Sequence, residues 1–272
     1  MELTIERIDY IKKQKQAEEA SLKKKFDYYK GKHAIESREK EPDLSNHKIV
    51  VNHCKRIVDI NAGALFNQPV QYQADDGIDI EPILNEFNKQ TIERLDLENG
   101  KKVGIYGKSY EYIYVKDVDG ETNVISVPLN PKTSFIKYDK TIEQNKEYGV
   151  FSSHDDEDGS EEWTIIDVDE INIYLVEKTG GIIKDEERST QNLFGRIPMI
   201  EYYNNEEQQG DFEQAIPLND ALNMLQSDRV NDKEQLVVAI LALYAATVDD
   251  EDMESVKKDR VLMPPEGARA SI

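Results

Sequence analysis

The chain has 272 residues, of which 55 are acidic and 34 basic, and its formal net charge is −21 with 38% hydrophobic and 8% aromatic residues. This composition excludes a chain that is disordered throughout and allows a sizeable buried core. The excess of acid argues against a protein that grips nucleic acid, because that affinity comes mainly from neutralising phosphates.

The N-terminal part of the sequence predicts a long charged helix. Apolar and aromatic residues recur at helical spacing from Thr4, which can cap the helix, to about Tyr29, and Gly31 supplies a stop. The lysines of this stretch alternate with glutamate and aromatic residues, which is typical of the solvated face of a helix. An exposed polar loop is predicted over residues 34–46.

Two more helical stretches are predicted in the first half of the chain. Apolar residues on one face indicate a helix over 51–65, and a short strand is expected over 70–74. The helical pattern returns over 79–106, where Gly100 and Gly104 are expected to break the helix into two pieces.

The hydrophobic period then changes from helical to alternating. Tyrosines at 110, 112 and 114 alternate with other residues, and the turn at 117–120 favours a hairpin. Further predicted strands cover residues 123–127, 134–138, 148–152, 162–167 and 171–177. We therefore predict an antiparallel, meander-like sheet and an α+β fold, with N-terminal helices before the sheet and further helices after it.

Residues 194–205 are interpreted as a connector between this body and a helical C-terminal part. A strand over 197–203 is followed by a polar turn, a cap near Asp211 and a kink or helix restart at Pro217. The apolar residues that follow lie on one helix face: Leu218, Ala221, Leu222 and Leu225.

A second C-terminal helix is predicted over 236–244. It is apolar nearly all round, which indicates burial on more than one side. Beyond it, Asp249–Asp252 is expected to begin a short helix and residues 260–263 to form a strand. The apolar run at 236–246 is too short for the ~20 residues that cross a bilayer.

The single cysteine, Cys54, rules out an internal disulfide and favours a reducing compartment. The N-terminus lacks the apolar region of a secretion signal. The sequence therefore predicts a soluble intracellular protein.

The sequence allows no catalytic, cofactor-binding or metal-binding residue to be assigned. His53 and Cys54 are neighbours on a helix and point in different directions, so Cys54 is expected to pack as a small buried hydrophobe. The acidic clusters at 155–158 and 249–252 are typical of solvated turns or helix N-termini rather than metal centres.

Three further patterns have structural interpretations. A phosphate-binding loop at 104–109 would need a glycine at position 102, which is a lysine. The stretch 117–121 resembles the start of a calcium loop but lacks the later glutamate, so we interpret it as a hairpin turn. The tyrosines at 110, 112 and 114 have no basic groove beside them, so core or inter-subunit packing is expected rather than base stacking.

Four segments of the chain stand in an order that is specific when taken together. They are Phe26–His33, Asn52–Val70, Tyr106–Val115, and Gly195–Asn205 with Leu218–Asp232. On these segments the chain resembles the portal proteins of tailed bacteriophages, in the branch common among phages and prophages of Gram-positive hosts.

The resemblance implies a non-enzymatic protein without cofactors that forms a ring, usually dodecameric, at one vertex of the phage head. Such rings pass double-stranded DNA without sequence specificity during packaging and ejection. The implied partners are identical subunits, the terminase large subunit, head-completion or adaptor proteins, scaffold and the major capsid protein. The implied location is the virion, with the host cytoplasm during assembly and no membrane.

The resemblance also implies a domain organisation. Residues 1–205 would form a wing-like α+β domain, 206–228 the first stem helix with its lead-in, and 229–272 part of the clip. Family members continue through a second stem helix, a tunnel-lining helix and a crown, so the chain is expected to be a truncated portal fragment.

Two alternatives stay open at this point. The first is a minor head-morphogenesis or adaptor protein that binds a portal without forming one. The second is a metal-dependent phosphodiesterase, for which Asp249 and Asp250 would be the candidate acids.

Overall fold

A computed structural model describes residues 4–41, 44–75, 77–118, 120–154 and 159–245, the last ten of these by their backbone alone. The described residues form two compact units. The first consists of the chain up to Lys30 together with His53–Ala215, and the second of Gly31–Asn52 together with the chain from Ile216 onward. The α+β fold class is confirmed.

The helices of the first unit follow the predicted periodicity. They are α1 (Ile5–Lys30), α2 (His53–Leu65), α3 (Glu81–Gln90) and α4 (Ile92–Tyr106). The Arg7 N–H donates to the hydroxyl of Thr4 at 3.3 Å, so the predicted cap of α1 is present.

Two predictions for this region are wrong. The break between α3 and α4 lies at Thr91, whose φ of 53° is left-handed, and not at Gly100 or Gly104. Both glycines lie inside α4, where other parts of the chain approach too closely for a side chain. Residues 70–74 form no strand within the described part of the segment.

The strands of the first unit are mostly those predicted. In chain order they are β1 (Lys108–Val118), β2 (Glu121–Leu129), β3 (Ser134–Tyr138), β4 (Lys146–His154), β5 (Glu161–Ile166), β6 (Glu170–Val176), β7 (Ile182–Lys184), β8 (Thr190–Gln191) and β9 (Met199–Tyr203). Strands β3 to β7 form an antiparallel meander, with β8 also paired to β6. A separate sheet has the order β2-β1-β9. The β1–β2 pairing confirms the predicted hairpin.

Two apolar clusters lie in the core of the first unit, beside further buried residues such as Val58 and Phe212. One packs Ile8 and Ile11 of α1 on the meander, around Trp163 and Ile165 of β5. The other contains Tyr110 and Tyr112 together with residues of both sheets, including Ile166 and Met199. Tyr110 is 2% and Tyr112 8% exposed, which confirms that they pack in the core.

The described residues of the second unit form one long helix, a 3-10 turn and an irregular segment. The helix, α5, runs without interruption over Ile216–Ala245, and the turn over Ala34–Ser37 lies inside the predicted loop. The prediction of two C-terminal helices is wrong, because the intervening residues contain neither glycine nor proline and include good helix formers. The burial predicted for 236–244 lies outside the described side chains, and the elements predicted at 249–252 and 260–263 lie outside the described residues.

No helix in the described part of the chain combines the length and the apolar character needed to cross a membrane.

Candidate assembly interface

Within the first unit, parts of the four recognised segments meet around the end of α4. Tyr106 stacks on Phe26 of α1, with ring centroids 6.0 Å apart and planes inclined by 18°. Strand β1 pairs with β9, so that Lys108 stands opposite Tyr203. Segments that are far apart in sequence therefore form one packed region.

The glycines of this region allow the chain after β9 to lie directly on α4. A β-carbon at Gly104 would lie 2.7 Å from a carboxylate oxygen of Asp211 and 3.2 Å from a methyl of Val58 in α2. The Asp211 N–H donates to the Gly104 carbonyl at 2.8 Å, and the Asp211 carboxylate accepts from the Asn61 amide at 3.1 Å. The glycine pattern at 104–109 thus serves close backbone packing.

An ion pair between a buried lysine and a half-buried glutamate holds the residues that precede α5. Lys25 of α1 is 7% exposed, and its ammonium lies 2.8 Å from the Glu213 carboxylate. The same ammonium donates to the Tyr106 carbonyl at 3.1 Å. Because truncating one partner would leave a buried charge without its counter-ion, this pair constrains the 3-10 turn Glu213–Ala215.

In the second unit, the buried face of α5 is polar. Asn219, Asn223, Ser227 and Asn231 recur every fourth residue, and each is at most 4% exposed. They face residues 46–52, which we call the strap. The last three accept hydrogen bonds from strap N–H groups: Asn223 from Val51 (2.8 Å), Ser227 from Ile49 (2.9 Å) and Asn231 from His47 (2.8 Å).

The spacing of this polar ladder has a geometric reason. Four residues of an α-helix advance about 6 Å along its axis, and two residues of an extended chain advance nearly the same distance. One helix side chain therefore meets every second N–H of an antiparallel strap. The ladder satisfies backbone donors that would otherwise be buried without partners.

His33 closes the ladder at its N-terminal end. It is 3% exposed, and its Nδ1 lies 2.9 Å from the Asn219 amide nitrogen and 2.8 Å from that of Asn223. The Asn223 oxygen is engaged by the Val51 N–H, so its amide nitrogen donates to the ring. His33 Nδ1 is therefore an acceptor in this arrangement.

Ion pairs also hold the segment that precedes the strap, and the first residues of the strap, against α5. Arg38 donates to the Asp228 carboxylate, and the Lys40 ammonium lies 3.5 Å from the same oxygen. The hydrogen bond from Arg38, with the charges of Arg38 and Lys40, lowers the pKa of Asp228 below its ordinary value. The His47 ring lies 2.8 Å from the carboxylate of Glu234, which follows Asp228 by six residues on the helix.

The opposite side of α5, which we call the outer face, is exposed and is apolar over its first turns, from Leu218 to Leu225. Leu218 is 75% and Leu225 58% exposed, Ala221 is exposed between them, and Met224, at 53%, borders them. From Asn219 to Asn231 the most buried positions are thus polar, the reverse of an ordinary surface helix, whose apolar side faces the core. Contiguous exposed apolar residues of this kind mark interaction surfaces.

The sequence predicted part of this interface. Leu218, Ala221 and Leu225 of the predicted apolar face lie on the outer face, while Leu222 is half-buried. Sequence reasoning missed the polar ladder, although short polar residues recurring at every fourth position from Asn219 were a usable signal.

The other sequence candidates are placed as follows. Cys54 is 1% exposed within the apolar core, as predicted. The Gly120 N–H donates to the Asp117 carboxylate at 2.9 Å, which is turn chemistry. The acidic clusters at 155–158 and 249–252 lie outside the described residues, and among the described ones no group of three potential metal ligands comes together.

An α+β body followed by a helix with an exposed apolar outer face is typical of a subunit that works by assembling with other proteins. Consistent with that class, a family model described as phage portal protein, SPP1 Gp6-like, matches residues 8–271. The chain therefore belongs to the phage portal protein family, and the predicted resemblance is confirmed. Members of this family are structural components of the virion rather than enzymes. A search of curated proteins found no match to the chain.

Proposed function

We propose that this chain is a portal subunit, or a truncated portal fragment, that forms the ring at the head vertex through which DNA is packaged and ejected. Family membership supports the general role. The single observation that carries the proposal of self-assembly is the burial pattern of α5, in which the four polar ladder residues are buried while Leu218 and Leu225 are exposed.

The physical argument starts from the cost of exposed apolar surface. Burying apolar surface contributes roughly 25 cal/mol per Å², so covering residues such as Leu218 and Leu225 is favourable. In a ring of identical subunits each contact is heterologous, which means that the outer face of one copy meets a different surface of the next. Such contacts close into a ring only when the rotation between neighbours is correct.

The charge of the chain suits a conduit for DNA. A net charge of −21 neutralises few phosphates and releases few counterions, so DNA is not gripped. Weak, sequence-independent interaction favours sliding through a channel. In this proposal double-stranded DNA passes the ring without sequence recognition.

The proposed partners, location and domain organisation are those that membership of the family implies. The ring would bind the terminase large subunit and later head-completion or adaptor proteins. It would also contact scaffold and the major capsid protein. Its location would be the host cytoplasm during assembly and afterwards the virion. Residues 1–205 would form the wing, 206–228 the first stem helix with its lead-in and 229–272 part of the clip.

The test is the size of the particles formed by the purified chain. Native mass spectrometry and negative-stain microscopy should detect closed rings or a strong tendency to self-associate at high protein concentration. A contact made by the apolar outer face should persist at 1 M salt, whereas charge-driven association would dissolve as screening increases. A strictly monomeric protein under all these conditions would contradict ring formation and favour the head-morphogenesis or adaptor alternative.

The phosphodiesterase alternative has its own test. It requires metal-dependent DNA cleavage that is lost when Asp249 and Asp250 are both changed to Asn. Both residues lie outside the described part of the chain, and no observation on the described residues favours this activity.

A further inference from the structure

An open cavity of about 660 Å³ lies at the surface of the first unit, and its lining residues Leu65, Tyr203 and Tyr72 are 75%, 48% and 42% exposed. It is bounded by the end of α2, the irregular segment after it, α4, and β9 with the loop that follows. Its volume falls in the range of small-molecule sites, about 300–1,000 Å³. Four aromatic side chains contribute to its walls: Phe66, Tyr72, Tyr202 and Tyr203.

The charged side chains that line this cavity are both acidic. They are Asp96 and Asp211, and none of the described lining residues is basic. Asp211 accepts hydrogen bonds from the neutral amides of Asn61 and Asn204, at 3.1 and 2.9 Å. Asp96 projects from α4 into surroundings that disfavour its negative charge. Its pKa is raised first by burial, and then by the charges of Glu111 and Glu93.

A second carboxylate lies behind the aromatic wall. Glu111 is 9% exposed, and it accepts hydrogen bonds from the hydroxyls of Tyr202 and Ser126. These donors are neutral, so they stabilise the carboxylate without cancelling its charge. Asp96 lines the cavity with Tyr72, and Glu111 is tied to it through Tyr202. The pKa of Tyr72 is raised by burial and then by the charges of these two acids.

We propose that this cavity binds an organic cation, an alkylammonium or guanidinium group, with Asp96 as its counter-ion and the rings of Tyr72, Tyr202 and Phe66 as its aromatic wall. Aromatic faces attract such cations, and they do so more strongly where water is excluded. A metal ion would instead require several oxygen ligands converging on one point. The inference goes beyond the proposed ring and does not depend on it.

The cation has two possible sources with the same chemistry. One is a free polyamine, and the other is a lysine side chain of a second copy of this chain. Both would place a positive charge beside Asp96 and an alkyl stem against the apolar part of the wall.

The first experiment titrates the full-length chain with spermidine by calorimetry at 0.15 M salt, where attraction to exposed acids is largely screened. Asp96→Asn should weaken the affinity about tenfold or more, and the matched control Asp169→Asn, at an exposed residue outside the cavity, should leave it unchanged.

Tyr72→Leu keeps apolar volume but removes the ring, and it should weaken binding about two- to fivefold. Because Tyr72 is 42% exposed, this variant keeps the test valid even if Asp96→Asn fails to fold. The uncharged 1,6-hexanediol should not bind.

The second experiment decides the source of the cation. A zero-length carbodiimide joins a carboxylate to an amine in contact with it, and mixed isotope labelling distinguishes links between copies from links within one copy. A link from Asp96 to a lysine of another copy identifies a second copy of the chain as the source of the cation. Spermidine binding that depends on Asp96 but is accompanied by no such link identifies a free amine as the source. Equal binding of hexanediol, or the absence of both Asp96-dependent spermidine binding and an Asp96 link, would overturn the proposal.

Discussion

The carbonyl oxygen of Gln208 occupies the space that a β-carbon at Gly107 would need. A β-carbon built there would lie 1.9 Å from that oxygen. Gly107 ends α4 with a φ of 84°, and Gln208 itself has a φ of 55°. The residue at position 107 is thus dictated by a loop that comes about a hundred positions later in the sequence.

Gly107→Ala should destabilise the protein by about 3 kcal/mol or more. Part of this cost, roughly 1–2 kcal/mol, is the left-handed backbone, and the rest is the collision with Gln208. Gly180→Ala is the matched control, because Gly180 has a φ of 90° and nothing within 4 Å of the added carbon. Urea denaturation of both variants measures the difference. Equal destabilisation would mean that the loop after β9 does not lie on α4.

Asn223→Leu tests the polar ladder. Leucine has the same number of side-chain heavy atoms and the same branching, but it leaves the Val51 N–H without its acceptor, which should cost about 1–3 kcal/mol. Amide hydrogen exchange should accelerate at Val51, Ile49 and His47, since the strap is held through these three groups. Asp232→Leu, at an exposed position on the same helix, should leave the exchange of these amides unchanged. Unaltered protection in Asn223→Leu would show that the ladder does not hold the strap.

Leu218→Glu tests the outer face of α5. A charge placed in a buried apolar contact must be desolvated, so the variant should shift the protein from large assemblies toward smaller species. Leu193→Glu is the matched control, because Leu193 is 78% exposed and Leu218 75%. Native mass spectrometry measures the distribution, and circular dichroism should confirm that both variants keep their fold. If the two variants assembled alike, the outer face would not be the contact.

Lys15 predicts a pH dependence of stability. Burial first, and then the neighbouring Lys108, lower the pKa of Lys15 from 10.5 to about 7 in the folded chain, where its ammonium donates to the Lys132 carbonyl at 2.7 Å. Between these two values the unfolded chain binds more protons, so this residue makes folding more favourable as pH rises. Lys15→Met removes that contribution. Relative to this variant, the wild type should therefore gain ~1–2 kcal/mol between pH 7 and pH 10.

The control for this pH dependence is Lys13→Met, at an exposed position on the same helix. Its stability should run parallel to that of the wild type across the same range. Denaturant titrations at several pH values provide the measurement. A wild type that lost stability relative to Lys15→Met as pH rose would contradict the assigned direction.

Much of the fold could be predicted because its signals are local. The alternation of Tyr110, Tyr112 and Tyr114 predicted a strand with one buried face, and the residues around Asp117 predicted the hairpin. The break at Thr91 could not be predicted in this way, since a threonine is a much weaker turn signal than the glycines at 100 and 104. Those two glycines are explained by Phe66 and Asp211, which approach them from elsewhere in the chain.

By itself the sequence determined the class of most elements and, through the order of four segments, the family. The hydrophobic period of a segment and the order of motifs along the chain can both be read from the sequence without the folded structure. Only the tertiary structure decided which side of α5 is buried. Leu218 and Leu225 lie outside because the inner side must supply acceptors to the backbone of the strap, and a hydrophobic residue cannot do so. The cavity beside Asp96 likewise exists only after distant elements meet, because no single segment supplies both the acid and the aromatic wall.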